Sequence, residues 1–259
     1  MTTNKPITRA ALLEEIITIS REAAKLIMEV YASDFSARAK SDSSPVTDAD
    51  QQAENLILAR LAKLTPDIPI VSEEAASNGY VPETGQLFWL VDPLDGTKEF
   101  ISRNGEFTVN IALIENAHPV LGVVLAPALD RAYAGAEGSG AFVEEQGVRR
   151  RIFCRPVPEE GLTVVASRSH GDENALDQFL AGRRVADRVS VGSSLKLCLV
   201  ADGKADVYPR LGRTMEWDIA AGDAVLRAAG GQVCLLDGSE FTYGKPIFEN
   251  PHFVAWGVR

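Results

Sequence analysis

The chain has 259 residues, of which 46% are hydrophobic, and 36 acidic side chains outnumber 26 basic ones for a formal net charge of −10. Apolar residues suffice for a large core, and the length allows one large domain or two lobes. The acidic balance argues against a general nucleic-acid binder, which needs a basic footprint, so an anionic small substrate must be attracted locally, by metal ions or a few placed cations.

The first residues, Met1 to Pro6, lack the apolar core of a signal peptide, and no run approaches the ~20 apolar residues of a membrane span. Three widely spaced cysteines, Cys154, Cys198 and Cys234, with apolar neighbours, read as buried thiols of a reducing compartment. A cytoplasmic protein without a transmembrane segment is the expectation.

Thr8 to Tyr31 carries apolar residues at helical spacing with Thr8 as cap. A polar loop from Lys40 leads to a second helix, Thr47 to Leu64, in which Thr47 and Asp48 supply cap and first-turn acid. Asp50 lies in the same turn and on its own reads as one more acid at the positive end of the helix. Pro66 to Glu74 gives a short strand ending in Glu73 and Glu74, followed by an expected surface loop from Ala75 to Gln86.

Trp89 to Phe100 opens as a buried strand and then carries Asp92 and Asp95 around Pro93, followed by Gly96 and Thr97. Pro93 and the turn break strand alternation, so the two carboxylates can converge with the Leu94 carbonyl between them. Such a pair would repel unless a cation lay between them. Asp-Gly-Thr is equally ordinary capping chemistry, and a glutamate pair is equally a solvated loop. Strands follow at Thr108 to Ile114, Val120 to Ala126, Arg131 to Ala136 and Ala141 to Glu144, a largely antiparallel meander in which His118 is a surface residue of a turn.

Proline and glycine density from Arg155 to Gly161 marks an expected boundary between an α+β lobe, 1–155, and an α/β lobe, 156–259. The second lobe alternates strands at Leu162 to Ala166, Val185 to Val191, Ala205 to Tyr208, Val233 to Leu236 and Phe253 to Trp256 with helices near Asp172 to Leu180, Ser193 to Ala201 and Asp218 to Ala229. Ser193 and Lys196 start one helix on a shared face, where they could meet an anion or be a cap and a solvated lysine. Asp218 opens another, as a cap, a first-turn acid or a ligand.

Glu73, Glu74, Asp92, Asp95 and Asp218 each sit at a strand end or helix start, and an all-oxygen set of this kind suits Mg²⁺ with substrate phosphate. Asp92-Pro-Leu-Asp-Gly-Thr97, the upstream Glu73-Glu74 and Trp217-Asp-Ile-Ala-Ala-Gly222 together resemble the inositol monophosphatase superfamily of metal-dependent, lithium-sensitive phosphatases. Ser44-Pro-Val-Thr-Asp-Ala-Asp50, Asn104 to Ala112 and Gly192-Ser-Ser-Leu-Lys196 resemble its bacterial 3'(2'),5'-bisphosphate nucleotidase branch.

The resemblance implies a layered α/β/α/β/α sandwich and two or three Mg²⁺ ions per site. Glu73, Asp92 and the Leu94 carbonyl would form the first metal site, and Asp92, Asp95 and Asp218 the second, with Glu74 acting through water on a looser ion. Thr97 backed by Asp50 would orient and deprotonate the attacking water. Asp95, Gly96 and Thr97 would hold the scissile phosphate through backbone N–H groups, with Glu73, Lys98 and Asp218 beside it. His170, Ser193, Lys196 and Arg210 would hold the second phosphate and ribose. Arg213 departs from the branch pattern.

The implied substrate is a phosphorylated nucleotide, adenosine 3',5'-bisphosphate or its sulfated analogue, with nucleotide recycling in sulfur assimilation as the setting. An inositol or sugar monophosphate phosphatase and a non-catalytic nucleotide-binding protein are the alternatives. A monomer or homodimer in the cytoplasm, or peripheral at the cytoplasmic face of the inner membrane, completes the expectation.

Overall fold

Thr8 is extended and accepts a hydrogen bond from the Ala11 N–H at 3.2 Å, which starts α1 (Arg9–Tyr31) where its apolar spacing begins. The structure is a computed structural model describing residues 8–34, 38–39, 45–167 and 173–258, with backbone alone for 38, 39, 45 and 46. A two-stranded ladder, β1 (Arg38–Ala39) with β2 (Pro45–Val46), leads to α2 (Asp48–Leu64), which Thr47 and Asp50 close with a capping box.

Seven strands then form one sheet in chain order: β3 (Ile70–Ser72), β4 (Leu87–Asp95), β5 (Thr108–Glu115), β6 (His118–Ala126), β7 (Arg131–Ala136), β8 (Gly140–Glu145) and β9 (Val148–Ile152). β3 runs parallel to β4, and all later neighbours are antiparallel. Two short helices, α3 (Glu73–Ser77) and α4 (Thr97–Ile101), follow the ends of β3 and β4. The rest of the chain supplies β10 (Leu162–Ser167), α5 (Glu173–Leu180), β11 (Val185–Val191), α6 (Leu195–Ala201), β12 (Val207–Arg210), α7 (Glu216–Ala228), β13 (Gln232–Leu235) and β14 (Phe253–Trp256). Its five strands pair in the order β11-β10-β12-β14-β13.

Strand alternation sorts the core. On β4, Trp89 and Val91 pack outward against α1 and α2 residues such as Ile16 and Ile57. Phe88 and Leu90 point inward, into a cluster with Leu197 of α6, Val225 of α7 and Phe253 of the second sheet. On the far side of that sheet, Leu180 of α5 meets Val164, Val207 and Val254. Burying each such side chain contributes roughly 1.5–3 kcal/mol. The layers are thus α1–α2, seven strands, α6–α7, five strands and α5, the expected α/β/α/β/α sandwich. No helix among the described residues is long and apolar enough to cross a membrane.

The middle layer sits close to the first sheet because two cross-strand partners there are glycines. A Cβ on Gly122 would lie 2.5 Å from the Ala221 carbonyl oxygen and 2.7 Å from Ala224 Cβ, and one on Gly135 would lie 2.9 Å from Ala228 Cβ. With alanines on one side and glycines on the other, α7 lies against the sheet backbone.

Three local expectations shift. Residues from Ala75 do not begin a loop, because α3 starts directly after Ser72 and runs to Ser77 with Glu73 and Glu74 in its first turn. β9 is an additional strand: Val148 to Arg151 are exposed on the sheet edge, so Val-Arg-Arg-Arg shows no apolar alternation. α6 starts at Leu195 and α7 at Glu216, which moves Ser193 into the preceding turn and makes Asp218 the third residue of its helix.

Gly122→Ala should lower stability by about 1–3 kcal/mol, read as a lower urea midpoint at unchanged slope. A midpoint equal to that of the unsubstituted protein would show that α7 is not held against the sheet as described.

Candidate active site

Parallel pairing of β3 with β4 sets Ser72 opposite Val91, so Glu73 leaves one strand where Asp92 continues the next. Asp92 follows Phe88 and Leu90 on the inward face and pairs with Asn110 of β5. Between Asp92 and Asp95 the register slips, three steps on β4 answering two on β5, so Asp95 pairs with Thr108 and keeps the inward face. α7 brings Asp218 to the same place from the neighbouring layer.

Glu73, Asp92, Asp95 and Asp218 line one open cavity of about 850 Å³, together with Leu94, Gly96, Thr97, Lys98, Ser193, Lys196, Arg210 and Arg213. A smaller cavity of about 290 Å³ near α1 has just two acids in its lining, Asp130 and Glu144, the latter ion-paired with Arg21.

The acids are oriented before any ligand arrives. The Leu94 N–H donates to Asp92 Oδ1 at 3.0 Å, the Ser194 hydroxyl to Asp95 Oδ2 at 2.8 Å, and the Met215 N–H to Asp218 Oδ2 at 2.8 Å. Their proximity is costly. Burial, then Glu73, Asp95 and Asp218, push Asp92 well above the usual carboxylate range. Burial also raises Asp95, with Lys196 and Ser194 pulling it back. Asp218 is pushed up to about 8, first by burial and then by Asp95 and Glu73. Among the described residues no three such side chains are already closed around one point; the acids converge on a shared opening and repel across it.

The donor set fits a hard divalent cation. It is all oxygen, four carboxylates beside the Leu94 carbonyl, with no thiol or imidazole among the cavity residues. Thr108 Oγ1 and Asn110 Oδ1, buried opposite Asp95 and Asp92, have no hydrogen-bond partner among the described residues.

Thr97 opens α4, its hydroxyl 3.4 Å from Asp50 Oδ1 and 3.4 Å from the Leu94 carbonyl oxygen. Asp50 Oδ2 meanwhile accepts from the Thr47 N–H at 2.8 Å and the Thr47 hydroxyl at 2.7 Å. The capping box thus uses one Asp50 oxygen, and the other faces the Thr97 hydroxyl. Glu74 is buried in α3 and lies outside the cavity wall. His170 lies outside the described residues.

The same cavity also holds cations. Lys196 is buried, not solvated, and its ammonium folds back on the carbonyls of Ser193 (2.5 Å) and Val191 (3.4 Å). Burial pulls it down to about 8, against the attraction of Asp95. Arg210 closes β12, also buried, donating to the Arg213 carbonyl at 2.7 Å while its Nε has no partner among the described residues. Arg213 lies on the rim, paired with Glu249 at 3.0 Å.

The family model for the inositol monophosphatase family matches residues 8–252. The chain belongs to the inositol monophosphatase family. Within reach of it, the 3'(2'),5'-bisphosphate nucleotidase CysQ of Salmonella typhimurium is 49% identical over 245 residues, covering 93% of this chain and 98% of that protein. A crystal structure of CysQ from Bacteroides thetaiotaomicron, described as a bacterial member of the same family, superposes with a TM-score of 0.79 at 38% identity, over 96% of this chain and 98% of the other. The Thermotoga maritima IMPase TM1415 follows with a TM-score of 0.78 and 30% identity, over 94% and 91%.

Sequence reasoning assigned no role to Asn110, Ser194 or Glu106, which the structure places against the site. One signal was present. Thr108 and Asn110 are polar at every second position of an otherwise apolar strand, the pattern of a buried face turned toward something polar.

In EDTA, stability should fall as pH rises between about 4 and 8, because Asp218, titrating near 8 in the fold against an ordinary 3.8, holds its proton more tightly folded than unfolded. Asp218→Asn keeps the acceptor for Met215 and removes a repelling charge. At pH 8 without divalent cation it should raise the thermal midpoint by roughly 2–4 °C, on the order of 1 kcal/mol. A lower midpoint would mean that the four acids do not repel one another there.

Proposed function

We propose that the chain is a Mg²⁺-dependent phosphatase that hydrolyses adenosine 3',5'-bisphosphate to AMP and phosphate, and that it also accepts the sulfated analogue. The observation that carries this reading is the gathering of two charge sets in one cavity: the acids Glu73, Asp92, Asp95 and Asp218, and the buried cations Lys196 and Arg210. The nucleotidase name borne by the Salmonella relative supports the same substrate.

The four carboxylates and the Leu94 carbonyl are the groups that would hold Mg²⁺. When bound, the cation supplies charge neutralisation to the acids and to the phosphate that enters among them. The Thr97 hydroxyl, 3.4 Å from Asp50, orients the attacking water and passes its proton toward that carboxylate. Backbone N–H groups of Asp95, Gly96 and Thr97 hold the scissile phosphate at the start of α4, beside Lys98. Water oxygen bonds to phosphorus as the phosphate ester bond breaks; the released ribose oxygen takes a proton from solvent, and Asp50 returns to solvent the proton it received. Ser193, Lys196 and Arg210 hold the phosphate that is not cleaved, and His170 belongs to the same set. Arg213 and Lys98 draw the anion to a protein of net charge −10.

A second reading keeps the chemistry and changes the substrate to an inositol or sugar monophosphate, favoured by the likeness to the Thermotoga maritima IMPase. Lys196 separates the two, because a monophosphate has no second phosphate for it to meet.

Asp95→Asn should leave the fold intact and reduce phosphate release from the bisphosphate by 10²–10³-fold or more, roughly the scale of losing a preorganised electrostatic group. Full turnover would exclude the mechanism, and chelation with EDTA should likewise stop release until Mg²⁺ is restored. Lys196→Ala should cost about 10–100-fold in kcat/KM for the bisphosphate, the scale of one charge-assisted hydrogen bond, and much less for inositol monophosphate. Equal losses on both substrates would favour the second reading.

A further inference from the structure

Two motif segments, Asn104–Ala112 and Gly192–Lys196, grip each other through residues that have no chemical role so far, Glu106, Asn110 and Ser194. Glu106 Oε2 accepts the Gly192 N–H at 2.8 Å, and Asn110 Nδ2 donates to the Ser194 hydroxyl at 2.8 Å. That hydroxyl lies 2.8 Å from Asp95 Oδ2 and 2.5 Å from the Asp218 carbonyl oxygen. Asn110 is 1% exposed and Ser194 3%. A hydroxyl that accepts from an amide has one proton left to give. The Asn110 amide therefore directs that proton toward Asp95 and the first turn of α7, away from β5.

The turn between the two grips is held tightly. A Cβ on Gly192 would lie 2.7 Å from Glu99 Cγ, so only glycine fits there. Ser193 adopts φ 51°, a left-handed conformation costly for serine, and its carbonyl is pinned by Lys196. Strain of this kind persists only where neighbours on both sides are fixed.

We propose that Asn110 and Ser194 are positioning residues: Asn110 aims the Ser194 hydroxyl, and Ser194 fixes the Asp95 carboxylate relative to the turn of α7 that carries Asp218. The assignment rests on the reading of Asp95 and Asp218 as cation-holding acids. Neither residue touches a reacting atom. Their effect is felt through the spacing of two carboxylates supplied by different layers of the sandwich.

Ser194→Ala, Asn110→Ala and the double variant of the full chain test this by two readouts: the Mg²⁺ concentration that half-saturates the rise in thermal midpoint, and kcat and KM for adenosine 3',5'-bisphosphate. Ser194→Ala should raise the half-saturating Mg²⁺ concentration about 10–100-fold, the usual range for groups that orient metal ligands, and lower kcat more than it raises KM. Because Asn110 acts through Ser194, the double variant should be no worse than Ser194→Ala alone. An unchanged half-saturating concentration with only a lower midpoint in EDTA would overturn the proposal, since mere adhesion between sheets predicts that pattern, and so would strictly additive losses. Should Ser194→Ala not fold, Asn110→Ala decides alone, because it keeps the hydroxyl and removes what aims it. Unsubstituted protein that neither responds to Mg²⁺ nor releases phosphate would overturn the functional reading and the positioning with it. Active unsubstituted protein with an equally active Ser194→Ala overturns the positioning alone.

Discussion

Carboxylates that face one another at short range and partly out of water repel, and the fold described here forces four of them to do so. Asp92 and Asp218 are both held far from their ordinary titration range, each first by burial and then by the other acids. An unfolded chain would scatter these charges, so gathering them opposes folding. Such an arrangement persists because other interactions outweigh it, and it becomes favourable once a cation enters.

The opposing interactions are mostly apolar. Trp89 and Val91 bury one face of β4 against α1 and α2, while Phe88 and Leu90 bury the other against α6 and α7. With both faces packed, the strand cannot withdraw its end, and Asp92 and Asp95 stay where the register slip leaves them. Parallel β3 fixes Glu73 beside them, and the contact of α7 with Gly122 and Gly135 fixes Asp218. The four acids are thus delivered by three packed elements, β4, the start of α3 and α7, and none relies on a long loop.

Much of this was legible in the residue pattern. Apolar periodicity placed nearly every strand and helix, because buried elements must show it. The five acids stood out because each sits at a strand end or helix start, and the order of motifs pointed to the family. What escaped has physical causes. β9 is an edge strand whose exposed arginines carry no alternation. α3 is five residues long, too short for periodicity to show. On the residues alone Lys196 could be an anion ligand or a solvated cation, because sequence does not reveal that its ammonium turns back on its own loop. Glu74 looked like a companion of Glu73, yet in a helical turn adjacent residues point apart, and only Glu73 reaches the cavity. Asn110 and Ser194 are 84 positions apart, and nothing local announces that they meet.

The protein's negative charge and an anionic substrate are reconciled in the same place. Cations that could draw in a phosphate are few at the cavity, and two of them, Lys196 and Arg210, are buried with their geometry already set. The most direct measurement is an anomalous diffraction map from crystals soaked with Mn²⁺ as a stand-in for Mg²⁺. A cage of these four acids predicts anomalous peaks in contact with Asp92 and with Glu73, Asp95 or Asp218. Peaks elsewhere, or well-ordered acids with no peak among them at saturating Mn²⁺, would contradict it.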